Sequence, residues 1–267
     1  MKIQILSDVH NEFLSHDKAS SLLTKTDYNQ WNGVIPETDA DIVVLAGDIN
    51  TGTKGIEWAI EESKKLDKPF IYVAGNHEFF HREYHSTLKQ MREVARGTNV
   101  HFLECDEVIL NDVRFLGATL WTDYNVVETV SRYDAMKVCQ ATLNDHQLIR
   151  ISPAGLFTAR HAFELHAKSV RWLQDKLNVS SEYKNTVVVT HHGPSKACQH
   201  KKFPINPVSA AFYSDLDELI SKADIWISGH SHSNLDTNIN GCRLISNQPG
   251  YPGEKVDNFL ADKIIKL

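Results

Sequence analysis

An α/β layered fold with buried sheets is predicted by three observations. Short β-branched runs recur along the chain, and each ends in a polar turn rich in glycine or other turn residues. Amphipathic helical patterns lie between those runs. No linker or low-complexity tract divides the 267 residues, so a single domain spanning 1–267 is expected.

The first run, Ile3–Leu6, leads into Ser7-Asp8-Val9-His10. Ile42–Leu45 leads into Ala46-Gly47-Asp48-Ile49-Asn50, and Phe70–Val73 into Ala74-Gly75-Asn76-His77-Glu78. Val187–Val189 precedes Thr190-His191-His192-Gly193-Pro194, and Ile225–Ile227 precedes Ser228-Gly229-His230-Ser231-His232. Runs this short and continuous are those of strands covered on both faces. Helices are predicted over Gly55–Leu66, His81–Arg96, Arg160–Asn178 and Ser209–Lys222, where apolar residues recur at helical spacing. Val108–Leu110 and Val113–Leu116, joined at Asn111-Asp112, read as a hairpin. Leu244–Ser246 is a late strand, followed by the turn-rich segment Asn247–Gly253. The stretch 121–180 lacks the strand–turn pattern and is expected to form a helical cap or insertion.

Composition excludes several classes. A formal net charge of −6 gives no strong nucleic-acid signal. No apolar run approaches the ~20 residues of a membrane span. Cys105, Cys139, Cys198 and Cys242 stand far apart with no Cys-x-x-Cys pair, which argues against a zinc ribbon or a disulfide scaffold. The opening residues already read as a buried strand, so no signal peptide is expected and a cytoplasmic location follows.

Taken singly, Asp-x-His or Gly-Asp after a strand is an ordinary turn. Here Asp8-x-His10, Gly47-Asp48, Gly75-Asn76-His77-Glu78, His191 and Gly229-His230-x-His232 all occupy one structural position, the exit of a buried strand. In α/β folds that is where ligands gather. Two divalent cations roughly 3.5–4 Å apart need an anionic bridge to screen their repulsion. Asp48 suits that role, because each carboxylate oxygen can take one cation. Asn76 offers a neutral oxygen, and His10, His191, His230 and His232 offer imidazole nitrogens. A metal pair of this kind activates hydroxide near neutral pH and clamps the attacking and leaving oxygens of a phosphate ester.

At these residues the sequence resembles the calcineurin-like metallophosphoesterases, from Asp8 to the Gly250-Tyr251-Pro252-Gly253 segment. The resemblance implies two packed β-sheets flanked by helices, a β-sandwich with the site at the sheets' edge. It implies one metal on Asp8, His10, Asp48 and His232, and a second on the shared Asp48 with Asn76, His191 and His230. His77 would serve catalysis, orienting the phosphate or protonating the leaving oxygen. Mixed oxygen and nitrogen donors suit Mn, Fe, Zn, Co or Ni. The chain departs from the Ser/Thr protein phosphatases, which place an acidic residue and a phosphate-gripping arginine where Thr51 and Gly52 stand, and an arginine where Ala74 stands. It departs from the purple acid phosphatases, which have a metal-binding tyrosine at the position of Thr51. What remains resembles the small bacterial and phage-type phosphoesterases.

The expected activity is therefore metal-dependent hydrolysis of a phosphate ester, with diesters ahead of monoesters. A protein Ser/Thr phosphatase, a general phosphomonoesterase and a non-catalytic binding module on the same fold are the alternatives. With the arginine clamp missing, Arg150 is expected to hold the phosphate, helped by His146, while Trp121 and Tyr124 offer aromatic faces to the substrate. Beside the ligands, His192 is read as a supporting or structural residue pointing away from the metals, Glu78 either as a hydrogen-bond partner of an imidazole or as a surface residue, and Asn11 and Asn50 either as substrate contacts or as plain turn residues. His16, His81, His85, His161, His166 and His200 match no ligand position and are assigned bland roles.

Overall fold

In the computed structural model, which describes residues 1–14, 31–179 and 183–267, the β-branched runs pair into two large sheets. The first contains β1 (Lys2–Leu6), β2 (Ile42–Ala46), β3 (Phe70–Val73), β4 (Val100–Phe102) and β13 (Ile264–Lys266), in the order β13-β1-β2-β3-β4. The second contains β5 (Asp106–Leu110), β6 (Val113–Ala118), β9 (Asn185–Thr190), β10 (Ile225–Ile227), β11 (Asp236–Ile239) and β12 (Cys242–Ile245), in the order β11-β12-β10-β9-β6-β5. Strands β1 to β4 run parallel, as do β6, β9, β10 and β12; the antiparallel strands β13, β5 and β11 lie at sheet edges.

Side-chain alternation explains why the sheets stack. Ile5 pairs with Val44 and Val44 with Ile71, while in the other sheet Phe115 pairs with Val187 and Val187 with Ile225. These residues share one buried cluster between the sheets. The intervening positions, Val43, Leu45, Phe70 and Tyr72 in one sheet and Leu116, Val188, Trp226 and Leu244 in the other, belong to a second cluster beneath the helices. Period-two alternation with apolar residues on both faces places each sheet in the interior of a four-layer sandwich.

Over the first sheet lie α1 (Lys54–Leu66) and α2 (Tyr84–Ala95), which contact each other and β4. α2 begins three residues later than its apolar pattern, because Glu83 accepts hydrogen bonds from the amides of His85 and Ser86 and caps the helix there. Asn111 and Asp112, both with positive φ (48° and 60°), close the β5–β6 hairpin.

One sequence expectation changes. Ser209–Lys222 is not one helix: a 3₁₀ turn, Pro207–Ala211, and the short α6 (Asp217–Ile220) flank a bridge between Gly193 and Tyr213. Gly193 N–H donates to Phe212 O and accepts, through its own carbonyl, from Ser214 N–H, which pulls the chain out of helical geometry. The 121–180 segment, expected to form a helical cap or insertion, lies between β6 and β9. It holds α3 (Arg132–Thr142), α4 (Asp145–Leu148), a small hairpin of β7 (Arg150–Ser152) and β8 (Gly155–Leu156), and α5 (Ala159–Leu177). α5 is tied to the second sheet by Lys176 Nζ to Glu107 Oε1 (2.5 Å) and Arg114 Nη1 to Lys176 O (3.0 Å), so it belongs to the helical layer of the sandwich. Among the described residues, no helix is long and apolar enough to cross a membrane. All four cysteines are free thiols.

Candidate metal centre

The carboxyl ends of β1, β2, β3, β9 and β10 deliver Asp8 and His10, Asp48, Asn76 and His77, His191, and His230 and His232 to one rim. The local backbone is strained to do so. Asp8, His10, Asp48, His230 and His232 all have left-handed φ, between 46° and 68°. Each such non-glycine residue costs about 1–3 kcal/mol, which the surrounding structure must hold in place. Two glycines permit the crowding: a Cβ on Gly75 would run into Asp48 Oδ1, and one on Gly229 into Ser7 Oγ and Asp8 Oδ2.

Asp48 divides its oxygens between two donor sets. Oδ2 lies 3.9 Å from His10 Nε2, and Oδ1 lies 3.5 Å from His191 Nε2. Around His10 stand His232 Nε2 at 3.1 Å and Asp8, whose Oδ1 is 3.5 Å from His232 Nε2. Around His191 stand Asn76 Oδ1 at 3.1 Å and His230 Nδ1 at 3.2 Å. Ring nitrogens this close must share a proton or a cation.

The rim's carboxylates and imidazoles shift one another's ionisation. Burial opposes ionisation of Asp48, yet His191 and His77 hold its carboxyl well below the usual range. Burial likewise works against charge on His191 and His232, but Asp48 lifts the first to about 9, while Asp8 and Glu254 lift the second to about 10. Burial and its neighbours His192 and His191 keep His230 neutral, as a ligand imidazole must be. Carboxylates that draw protons this strongly also draw divalent cations. The oxygen and imidazole donors, in two sets sharing one carboxylate, fit two borderline divalent ions.

A further layer of contacts aims the ligands. His191 Nδ1 faces the Ala46 carbonyl at 2.9 Å, which directs Nε2 into the site. Asn76 donates through Nδ2 to Asp145 Oδ1 (2.9 Å), so its carbonyl oxygen faces His191. His232 Nδ1 pairs with Glu254. Glu12 Oε1 accepts from His10 Nδ1 at 3.2 Å and from His77 Nδ1 at 2.8 Å. The His77 backbone N–H donates to Asp48 Oδ1 (2.8 Å), and its Nε2 meets the Tyr251 hydroxyl at 3.0 Å.

The residues expected to hold substrate do not reach this rim. Trp121 is buried with its ring 4.7 Å from Phe157 and 5.0 Å from His192. Tyr124 is buried, its hydroxyl 3.4 Å from His146 Nε2, and His146 Nδ1 faces the Phe157 carbonyl. These aromatic groups form the core of the excursion between β6 and α5. Arg150 is exposed on β7 and donates to the Pro153 carbonyl. None of the four lines the cleft beside the metal rim.

That cleft, about 420 Å³, is bounded instead by Phe80, Asp145, Phe203, Phe212 and Tyr251, with Lys202 and His200 on one wall. His200 therefore leaves the bland group. His166 and His161 stay in it, the first against the Leu120 carbonyl and the second in the cap of α5; His16 lies outside the described residues. His192 is buried, faces the Thr119 carbonyl and lies 4.2 Å from the His230 ring at a tilt of 41°, supporting it by packing. Glu78 touches no imidazole. It is buried and accepts from the amides of Asp48, Ile49 and Gly75 and from the Tyr72 hydroxyl, binding the β2 and β3 turns together. Burial and Asp48 push its carboxyl up to about 7. Asn11 accepts from Trp31 Nε1, and Asn50 from the Thr51 amide, so both are turn and packing residues. Glu12 and Glu254 escaped the sequence reading, and Tyr251 was read only as part of the late turn-rich segment; of these, Glu12, two residues beyond His10, carried a local signal.

Comparison with known proteins bears on the fold and the family. The chain is 25% identical over 277 residues to the uncharacterized protein L509 of Acanthamoeba polyphaga mimivirus, covering 96% of this chain and 93% of that one. The fold matches the phosphopantetheinyl hydrolase of Mycobacterium tuberculosis with a TM-score of 0.71 at 18% identity, over 94% of this chain and 90% of that one. It also matches a dimetal phosphatase of Danio rerio with a TM-score of 0.53 at 15% identity, over 93% and 87% of the two chains. The model of the calcineurin-like phosphoesterases matches residues 1–234, and the chain belongs to that family.

Proposed function

We propose that this metal-dependent phosphoesterase is dinuclear and acts on phosphodiesters. The observation that carries the reading is Asp48, whose two oxygens face two separate donor sets. Asp8, His10, Asp48 and His232 would hold one ion, and Asp48, Asn76, His191 and His230 the other. When bound, two such ions supply a nucleophile near neutral pH and offset phosphoryl charge.

The chain's own groups do the rest. Burial lowers the His77 pKa, but Asp48 and Glu12 more than compensate, so the ring holds its proton more firmly than a free imidazole. With Nδ1–H held on Glu12, Nε2 is the atom presented to the cleft, placed to pass a proton to the departing alkoxide. Asp145 and Glu254 hold the Asn76 amide and the His232 ring in register. Among the described residues, no arginine lines the cleft. Lys202 spends a hydrogen bond on the Lys255 carbonyl, and burial together with Lys202 lowers the His200 pKa. Such walls suit a singly charged diester better than a doubly charged monoester. Free thiols accord with a reducing, cytoplasmic setting.

The test is kcat/KM of the metal-reconstituted protein on bis-p-nitrophenyl phosphate against p-nitrophenyl phosphate, with cyclic nucleotides and phosphopeptides alongside. The diester should be preferred. A higher value for the monoester or a phosphopeptide overturns the diester assignment and leaves the metal assignment standing.

A further inference from the structure

Beside the metal cleft lies a second cavity of about 240 Å³, and His200, Phe203, Phe212 and Ser231 line both. Phe212 stacks on His230 with ring centroids 4.7 Å apart and planes at 28°, so the cavity begins one ring away from a metal ligand. Its polar side chains are occupied within its own wall. Gln199 donates to the carbonyls of His200 and Phe203 and accepts from the Tyr213 hydroxyl. Asn206 accepts from the Val208 amide and donates to the Pro204 carbonyl, and Ser209 Oγ accepts from the Asn206 amide. What these side chains leave facing the void is mainly the carbon surface of Phe203, Pro204, Val208 and Phe212.

Size and chemistry narrow the occupant. A dry cavity of about 150 Å³ is enough for benzene, so 240 Å³ takes an aryl ring or a chain of several carbons. A nucleobase would bury hydrogen-bonding edges against donors and acceptors already in use. A second charged group would be desolvated without a partner. Phe203 and Ile205, on the loop forming the outer wall, are 65% and 63% exposed, an apolar surface that a ligand would cover. His77, the group assigned to the leaving oxygen, borders the metal cleft and not this cavity.

We infer that this pocket is a specificity site for an aryl or medium-length alkyl group on the ester oxygen that the phosphate retains. The inference rests on the diester reading above and names the class of diester. Cleavage releases the other alcohol, with water supplying the new P–O bond, and leaves an aryl or alkyl phosphate.

The experiment uses the metal-loaded full chain and p-nitrophenyl phosphodiesters whose second group is methyl, phenyl or hexyl, so the leaving group is constant. Each methylene buried is worth about fourfold, so hexyl should exceed methyl by at least about tenfold in kcat/KM, mainly through KM. Val208→Trp, which fills the cavity, should bring phenyl and hexyl down toward methyl. Phe203→Ala, at an exposed position that the fold tolerates, should lower the hexyl ester about threefold or more. Equal kcat/KM across the three esters, or a preference that survives both substitutions, overturns the pocket assignment. If only the monoester p-nitrophenyl phosphate is turned over, the diester reading fails. The pocket is then read by competition against that substrate: phenylphosphonate binding at least tenfold tighter than methylphosphonate upholds it, and equal inhibition overturns it.

Discussion

At Asp48 and His77 the chemistry of the site comes down to single atoms. The amide of His77 is anchored on Asp48 Oδ1, while its Nδ1 is held by Glu12 and its Nε2 points toward the cleft. His77→Ala should keep its metals and lose on the order of 10²–10⁴ in rate, the usual weight of general-acid help. That loss should shrink for a nitrophenolate leaving group; equal losses would show that His77 positions phosphate, and lost metal would make it a ligand. Glu12→Gln, acting through the ring it orients, should lose roughly 10–100-fold, with the same leaving-group dependence. The residues proposed as ligands stood out in the sequence because each lies within a few residues of the end of a buried apolar run. The role of Glu12 did not, since its contact with His77, 65 residues away, exists only in the folded chain. Trp121, Tyr124, His146 and Arg150 were misread because aromatic and charged residues in an excursion look alike whether they face a cleft or a core.

At the level of elements, the strands that carry ligands are the interior ones, and their uninterrupted apolar runs made them readable. The edge strands β4, β11 and β13 are three or four residues long, too short to stand out against loops. Ser209–Lys222 has a helical stripe, but the tertiary bridge to Gly193 overrides it. What the turns add is close approach, which can be tested at Gly75. A Cβ there collides with Asp48 Oδ1, the Asp48 amide nitrogen and His191 Cε1, of which only the first can move without displacing backbone or a ligand ring. Gly75→Ala should therefore deplete metal and lower turnover at least about 10²-fold, the cost of a small misplacement in a catalytic site. Gly97→Ala is the control: nothing lies within 4 Å of its Cβ, and its positive φ costs about 1–2 kcal/mol of stability with metal content intact. Normal metal and turnover in Gly75→Ala would contradict the close-approach account.

For the molecule as a whole, stability and metal binding draw on different groups. His146 lies in the core of the excursion, where burial depresses its pKa from 6.5 to about 4. Between those values the unfolded chain binds a proton that the folded chain does not. His146 thus favours the fold fully above about pH 6.5, and this contribution is lost as pH falls toward 4, at most about 3 kcal/mol. Denaturant midpoints of the wild type should fall through that window, and His146→Gln should flatten the fall; an unchanged profile would place the acid sensitivity elsewhere. The sandwich was foreseen as an α/β layered fold because sheets apolar on both faces must be covered on both faces. The placement of α5 in its helical layer was not, because contact with a sheet leaves no periodicity that contact with a cap would lack. The claim on which the rest depends is that one carboxylate serves two ions, and metal content measures it directly. Elemental analysis after mild reconstitution should approach two divalent ions per wild-type chain, with both occupancies reduced and turnover abolished in Asp48→Asn; a single ion in the active wild type, or a fully active Asp48→Asn protein, would contradict it.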